Sequence, residues 1–476
     1  MKRVYRILLQ FGVLGIVASI IISCSKDDSP VDPGNGNNNN NNNPVVDTIR
    51  PTIFVHGFLS ASDAWTPAVQ LFRANGYPKN FLNTIDLTNY AASGMPDYDL
   101  MATQLESMVN SVLQQTGFKR VDLIAHSMGV NVVQYYITKK GGVDKVAHVV
   151  ACAGEIDNTF MLNGSLTPSP VKFRTIRSDG YDATQNGDAS KGSMTGADNQ
   201  QIGGLDHQQI ITHVNAFKAM YSFCVGKDPT KTSILPPVKA SISGKVIDFV
   251  DNTPVAGATV EFYDVNLTDG TVYSLLVRAT TDANGNWGPV DKNYSINVLI
   301  KVEAANHHVM YYFRQPFRDT SFTERLRVLP KTGGSPLLQQ FRSAMKFSTE
   351  HSMIVVFSPY RALYDSRDSV SVNGVKVTNA STAPDPASGK SGSNTVSLFC
   401  FDETADKKSS TGPMANPMLN TFALNSFDLY IPAVPAGQAI PVIMNGKKLF
   451  TRNYRSEILP PATTNHGISI VQFEYW

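Results

Sequence analysis

The sequence predicts an α/β fold, a mostly parallel sheet wound on both faces by helices, followed by an all-β half. Between Arg50 and about Lys227, short apolar runs alternate with stretches of helical period. Those runs are near-continuous, as in strands buried on both faces of a parallel sheet. Beyond Asp228-Pro229 the helical period stops, and short β-rich runs separated by turn signals take over. At 476 residues the chain exceeds what one core usually serves, so several domains are expected.

Taken in order, Met1 to Arg6 is a basic head, Ile7 to Ser23 an apolar run, and Cys24 follows. The run falls short of the roughly 20 residues that a spanning helix needs, so 1–23 is expected to be a signal peptide. Its end, Ile21-Ile-Ser-Cys24, resembles a lipoprotein processing box, which implies that Cys24 carries lipid. Ser25-Lys-Asp-Asp28 resembles the acidic signal that sends some Gram-negative lipoproteins to the cell surface. The implied location is the cell envelope, at the outer membrane and exposed on the cell surface. Residues 24–45, with seven successive asparagines, read as a tether.

Within 46–233, Pro51 to Val55 is expected as a strand, Ala64 to Ala74 as a helix stopped at Asn75-Gly76, and Leu100 to Gln115 as a helix stopped at Gly117. Val121 to Ala125 is the next buried strand, and Asn131 to Lys139 a helix ending at Gly141-Gly142. Val146 to Ala151 and Val171 to Ile176 supply two more strands, and Gln208 to Val225 a last helix.

The chemistry centres on Ala125-His126-Ser127-Met128-Gly129. Strand before and helix after put Ser127 in a strand-turn-helix elbow, where small residues two before and two after force the hydroxyl out of a tight turn. The pentapeptide resembles the elbow of bacterial lipases in the α/β-hydrolase family, with alanine where glycine often stands. That resemblance implies an α/β-hydrolase fold with Ser127 as nucleophile. His56-Gly57-Phe58, directly after the first strand, resembles the family's oxyanion loop. It implies that the backbone N–H groups of Phe58 and Met128 form the oxyanion hole, with His56 structural.

Nine histidines are available as the base. His126 adjoins the serine and points elsewhere, His148 lies in an apolar strand, and His213 falls in the last helix. His207, in the loop Gly203 to Gln209, resembles the family's catalytic histidine. The acid is expected after the strand ending at Arg177, where Asp182 is the first choice and Asp179 the second; Glu155 and Asp157 are remoter.

A net charge of +2 with 17% charged residues gives no nucleic-acid footprint. Of four cysteines, lipidation of Cys24 leaves Cys152, Cys224 and Cys400, an odd remainder that argues against a disulfide framework. No C-x-x-C, H-E-x-x-H or P-loop occurs, so neither cofactor nor metal is expected. Phe58, Leu59, Trp65, Met128 and Phe160-Met-Leu162 are the candidates for holding an acyl chain. Thr88 to Asp99 and Gln185 to Gln201 are the expected flexible covers.

Residues 234–332 show a β-sandwich pattern resembling carboxypeptidase-regulatory-like domains, with Asp282-Ala-Asn-Gly as a hairpin turn. Residues 333–476 are again β-rich, with hairpins at Asn373-Gly374 and Asn445-Gly446. The whole arrangement resembles a group of archaeal and bacterial lipases whose C-terminal β domain assists binding of long-chain esters. The implied protein is a surface-anchored serine ester hydrolase acting on acylglycerol or fatty-acid esters, with the membrane as partner through its lipid. A polyester depolymerase and a non-catalytic cell-surface binding lipoprotein are the alternatives. Oligomeric state is left open.

Overall fold

The computed structural model describes residues 49–474 apart from 93, 180–181, 183–191, 294–295, 387–393, 422, 435 and 458–465. The expected signal peptide, Cys24 and the tether lie outside the described residues, as does part of the cover expected over Gln185 to Gln201.

Six strands build the first sheet: β1 (Thr52–Val55), β2 (Leu82–Ile85), β3 (Val121–His126), β4 (Val146–Cys152), β5 (Lys172–Arg177) and β6 (Asp198–Gln201). They lie in the order β2-β1-β3-β4-β5-β6 and every pairing is parallel. Central β3 is buried at every residue, Asp122 included, whose Oδ1 lies 2.9 Å from His148 Nδ1. The edge strands escaped the sequence pattern for a physical reason. Strand β6, Asp-Asn-Gln-Gln, has no apolar residue and is largely exposed, and β2 buries only Leu82 and Ile85.

Helix α1 (Thr66–Ala74) follows β1, α2 (Tyr98–Thr116) precedes β3, and α3 (Met128–Lys139) follows it. Asp97 caps α2 by accepting the N–H of Leu100 at 3.0 Å, and Gly117, with φ +73°, ends it in the left-handed region. The single helix expected over Gln208 to Val225 is two helices, α4 (Gln209–Thr212) and α5 (Val214–Val225). His213 breaks them: its backbone is extended, and its Nδ1 accepts the N–H of Asn215 at 3.2 Å, capping α5 from outside.

The chain leaves β1 towards β2 and returns to β3 on the other side. The loops after β1 and β3 therefore part at the carboxyl ends of the strands and open a crevice there.

In the second half, strands Lys239–Asp248, Asn286–Asn293 and Ser321–Val328 form a three-stranded sheet. Phe262 of the neighbouring sheet packs on its Trp287, ring centroids 5.4 Å apart. Asn286–Asn293 was not expected because it contains Gly288-Pro289; its register shifts between Trp287 and Val290, a bulge that tolerates the proline. Asn373-Gly374 and Asn445-Gly446 do turn hairpins, each asparagine at φ +50°.

The neighbouring sheet has eight strands, and at its middle Met310–Arg314 pairs in parallel with Ile468–Gln472. The boundary expected at 332/333 thus does not divide two sheets. A parallel partner far along the chain leaves no local turn signal, so the pairing is invisible in sequence.

Side chains from this half also reach the first sheet's loops. Arg327 donates to both Asp63 oxygens at 2.6 and 2.8 Å, and Arg325 Nε donates to Asp86 Oδ2 at 2.8 Å. Burial alone would raise the Asp86 carboxyl, but Arg325 and the Ser62 N–H and hydroxyl outweigh it and hold it at about 2. A carboxyl held below its ordinary value of 3.8 contributes stability above that pH, and the contribution is lost as pH falls towards 2. Asp86→Asn, which leaves Arg325 buried without its counter-charge, should cost about 3 kcal/mol at neutral pH. In urea titrations its gap to the wild type should narrow as the pH is lowered from about 4 to about 2.

Candidate active site

Ser127 sits between β3 and α3 with φ +51° and ψ −123°, a conformation that a non-glycine residue adopts only under constraint. The constraint is visible on both sides. Its N–H donates to Cys152 O at 2.9 Å, and its carbonyl accepts the N–H of Val130 at 3.0 Å. A Cβ on Gly129 would come within 2.6 Å of His56 O, and one on Gly57 within 2.9 Å of Ser127 Cβ. The loop after β1 and the elbow after β3 can touch only because both positions lack side chains.

His207 lies in the loop before α4, 1% exposed, and its Nδ1 is 3.0 and 3.1 Å from the two oxygens of fully buried Asp182. A carboxylate accepts from Nδ1–H, which leaves Nε2 as the basic nitrogen. Asp179 does something else: its Oδ2 accepts the N–H of Gly204 at 3.0 Å and shapes the histidine loop. The structure thus brings Asp182, and not Asp179, to His207. Glu155 and Asp157 stay apart from it; Asp157 accepts from Thr159 N–H and hydroxyl at 2.8 and 2.7 Å.

His126 is buried beside Ser127 and props the histidine loop. Its Nε2 donates to His207 O at 2.9 Å, and the two rings lie 4.5 Å apart. Burial, then the neighbouring His207, hold its pKa well below the usual value, so it stays neutral. On the other side of Ser127, His56 is fully buried: Nδ1 donates to Gly57 O at 2.7 Å and Nε2 accepts the N–H of Leu87 at 2.9 Å. Both nitrogens are occupied, so the ring braces the loop that carries Phe58. Leu59, next in that loop, has φ +56°, and its N–H donates to Tyr90 Oη at 3.0 Å. Met128 is the first residue of α3, where N–H groups have no acceptor within the helix.

Beside this crevice is an apolar-lined cavity. Phe58, Leu59 and Gln208 form one wall; Ser127, 7% exposed, is not part of it. The opposite wall is a face of the eight-stranded sheet, with alternate residues Met310 and Tyr312, Val355 and Phe357, Ile468 and Ile470. Period two puts each pair on one side of its strand. The cavity also borders Asp63 and Arg327, whose charges are spent on each other.

Of the residues expected to hold an acyl chain, Phe58 and Leu59 face the cavity and the others do not. Trp65 is fully buried against Phe54 and His126. Phe160 packs on Tyr98 and Tyr135, and Met161 is exposed. Proximity in sequence to the elbow favoured these residues, but the apolar wall comes from strands of the second half.

Two family models match the chain: lipase (class 2) over residues 49–164 and lipase C-terminal domain over residues 238–330. They support a lipase/esterase family with a C-terminal domain on the α/β-hydrolase fold. A curated relative, probable lysophospholipase BODYGUARD 1 of Arabidopsis thaliana, is 30% identical over 102 residues, covering 21% of this chain. The chain spans only 22% of that relative's length. Among solved structures, Bacillus licheniformis lipase BlEst2 is 17% identical, with 40% of this chain and 96% of that one covered at a TM-score of 0.31. Phospholipase PlaB from Legionella pneumophila is 10% identical, with 58% and 92% covered at a TM-score of 0.31.

The two aspartates should separate cleanly in kinetics. Asp182→Asn removes the charge and sets an amide NH₂ beside His207 that favours the wrong tautomer, and it should lower ester-hydrolysis kcat by about 10⁴-fold. Asp179→Asn weakens one loop hydrogen bond, and its kcat, measured on the same short-chain ester, should stay within about tenfold of the wild type.

Proposed function

We propose that this chain is a serine carboxylic-ester hydrolase of lipase or esterase type, acting on acylglycerol or fatty-acid esters. The observation that carries it is the pairing of buried Asp182 with His207 beside the strained Ser127 elbow. His207 Nε2 takes the Ser127 proton as Oγ attacks the ester carbonyl. Asp182 holds Nδ1–H and stabilises the imidazolium that forms. The N–H groups of Phe58 and Met128 receive the oxyanion, each worth about 2 to 4 kcal/mol in the transition state. The alkoxide of the substrate leaves with the proton from His207, and water then cleaves the acyl-enzyme with the same histidine as base.

The cavity fits the acyl part. It begins at Phe58, the oxyanion-side residue, and runs along an apolar sheet face. A binding protein has no use for a strained serine beside a carboxylate-oriented imidazole.

From the sequence we also propose the lipid anchor at Cys24 and a location on the cell envelope. Among the described residues, no helix is long and apolar enough to cross a membrane.

A graded series of p-nitrophenyl esters tests the reading. Activity should favour medium or long acyl chains, fall by about 10⁶-fold in kcat in Ser127→Ala, and fall comparably in His207→Ala. Val355→Trp, which fills the cavity, should shift the preferred chain length downward and spare the acetate ester. A folded wild-type protein that cleaves no ester and takes no fluorophosphonate label would return the binding-lipoprotein alternative.

A further inference from the structure

The residue before His207 ties the histidine loop to the second half of the chain. Asp206 is fully buried. Its Oδ1 accepts the N–H groups of Gln208 and Gln209 at 3.0 and 2.9 Å, while Gln209 Oε1 accepts the N–H of Asp206 at 3.2 Å. That reciprocal set caps α4. Capping needs only one carboxylate oxygen, yet Oδ2 is also engaged, and with the other half. It accepts the N–H of Ala362 at 3.1 Å and lies 3.6 Å from the Arg367 guanidinium. One helical turn on, Thr212 Oγ1 donates to Tyr360 O at 2.6 Å.

The receiving loop is itself held. Arg367 donates through a terminal nitrogen to Ala362 O and through Nε to Asp368 Oδ2 at 3.0 Å, and its guanidinium lies 4.7 Å over the Tyr364 ring. A carboxylate enclosed this way is costly: burial pushes its pKa up to about 6 against the pull of the Gln209 N–H, Arg367 and the Ala362 and Gln208 N–H groups. A surface cap would avoid that cost. His207 is therefore gripped from both directions, its carbonyl by His126 and the side chain before it by Ala362 and Arg367.

We infer that Asp206 and Arg367 form a clamp through which the second half of the chain sets the position of His207, so that this half serves the chemical step as well as the acyl chain. The inference rests on His207 being the general base. Asp206 and Arg367 are positioning residues: they act through the backbone of the histidine loop.

The test uses the full chain and a short soluble ester, p-nitrophenyl butyrate, which makes little use of the cavity. Active serines are counted with a fluorophosphonate, and kcat is expressed per labelled site. Arg367→Leu should lower kcat per site by about ten- to a hundredfold, because small displacements of a catalytic group carry costs of that order. KM should be little changed, and Arg367→Lys should recover much of the loss. Asp206→Asn, which can set an amide NH₂ against the Ala362 N–H, should also lower kcat. Wild-type kcat per site in folded Arg367→Leu would overturn the clamp, as would a smaller labelled fraction with unchanged kcat per site, the mark of a purely structural role. If Arg367→Leu does not fold, Thr212→Val decides: a severalfold drop in kcat supports the clamp and an unchanged kcat overturns it. A folded wild-type protein that takes no label overturns instead the serine-hydrolase reading on which the clamp depends.

Discussion

The site depends first on a steric allowance. The loop after β1 and the elbow after β3 approach until Gly57 faces Ser127 Cβ and Gly129 faces the carbonyls of Val55 and His56. A methyl group at either glycine would force the segments apart. That contact keeps Ser127 in its unfavourable conformation. The strain is maintained by a buried frame: His56 bonded through both nitrogens, Cys152 O accepting the Ser127 N–H, and β3 enclosed on both faces.

The second half is built into this frame. Arg325 and Arg327 hold the loops that follow β2 and β1 through Asp86 and Asp63, and Asn252 Nδ2 donates to Ser60 O at 2.8 Å in the segment that carries Phe58 and Leu59. Ala362 and Tyr360 meet the histidine loop on the opposite flank. The cavity lies between these ties, with one wall from each half. Ties from the second half thus reach both the loop that carries Phe58 and Leu59 and the histidine loop.

What could be read from the sequence was what local patterns carry. Ala125 to Gly129 fixed an elbow because strand, turn and helix are contiguous, and His56-Gly57 was readable because it ends an apolar strand. Asp182 could be preferred to Asp179, but only the fold reveals that Asp179 is spent on Gly204. Where partners are distant, the sequence was silent. Asp206 is conspicuous beside His207, yet its partner Ala362 lies 156 residues on. Trp65 and Phe160 to Leu162 were chosen as acyl contacts for their nearness in sequence to the elbow, whereas Val355 and Ile468 reach the cavity through parallel pairing that leaves no local mark. Strand β6 went unseen because an exposed edge strand needs no apolar period.

The place of Ile468–Gln472 in the eight-stranded sheet bears on timing. It inserts between Met310–Arg314 and Met353–Phe357, pairing with both. Until it arrives, the sheet is two separate pieces, each with an open edge, and the cavity lacks the strand that carries Ile468 and Ile470. Contacts between such distant stretches form slowly, since loop closure must be met before pairing rewards it. The Ser127 elbow, by contrast, takes its contacts from Val55 to Cys152, within the first sheet and its loops. A growing chain therefore gains its Ser127 geometry early and its cavity late, so closure of the cavity marks the completion of folding.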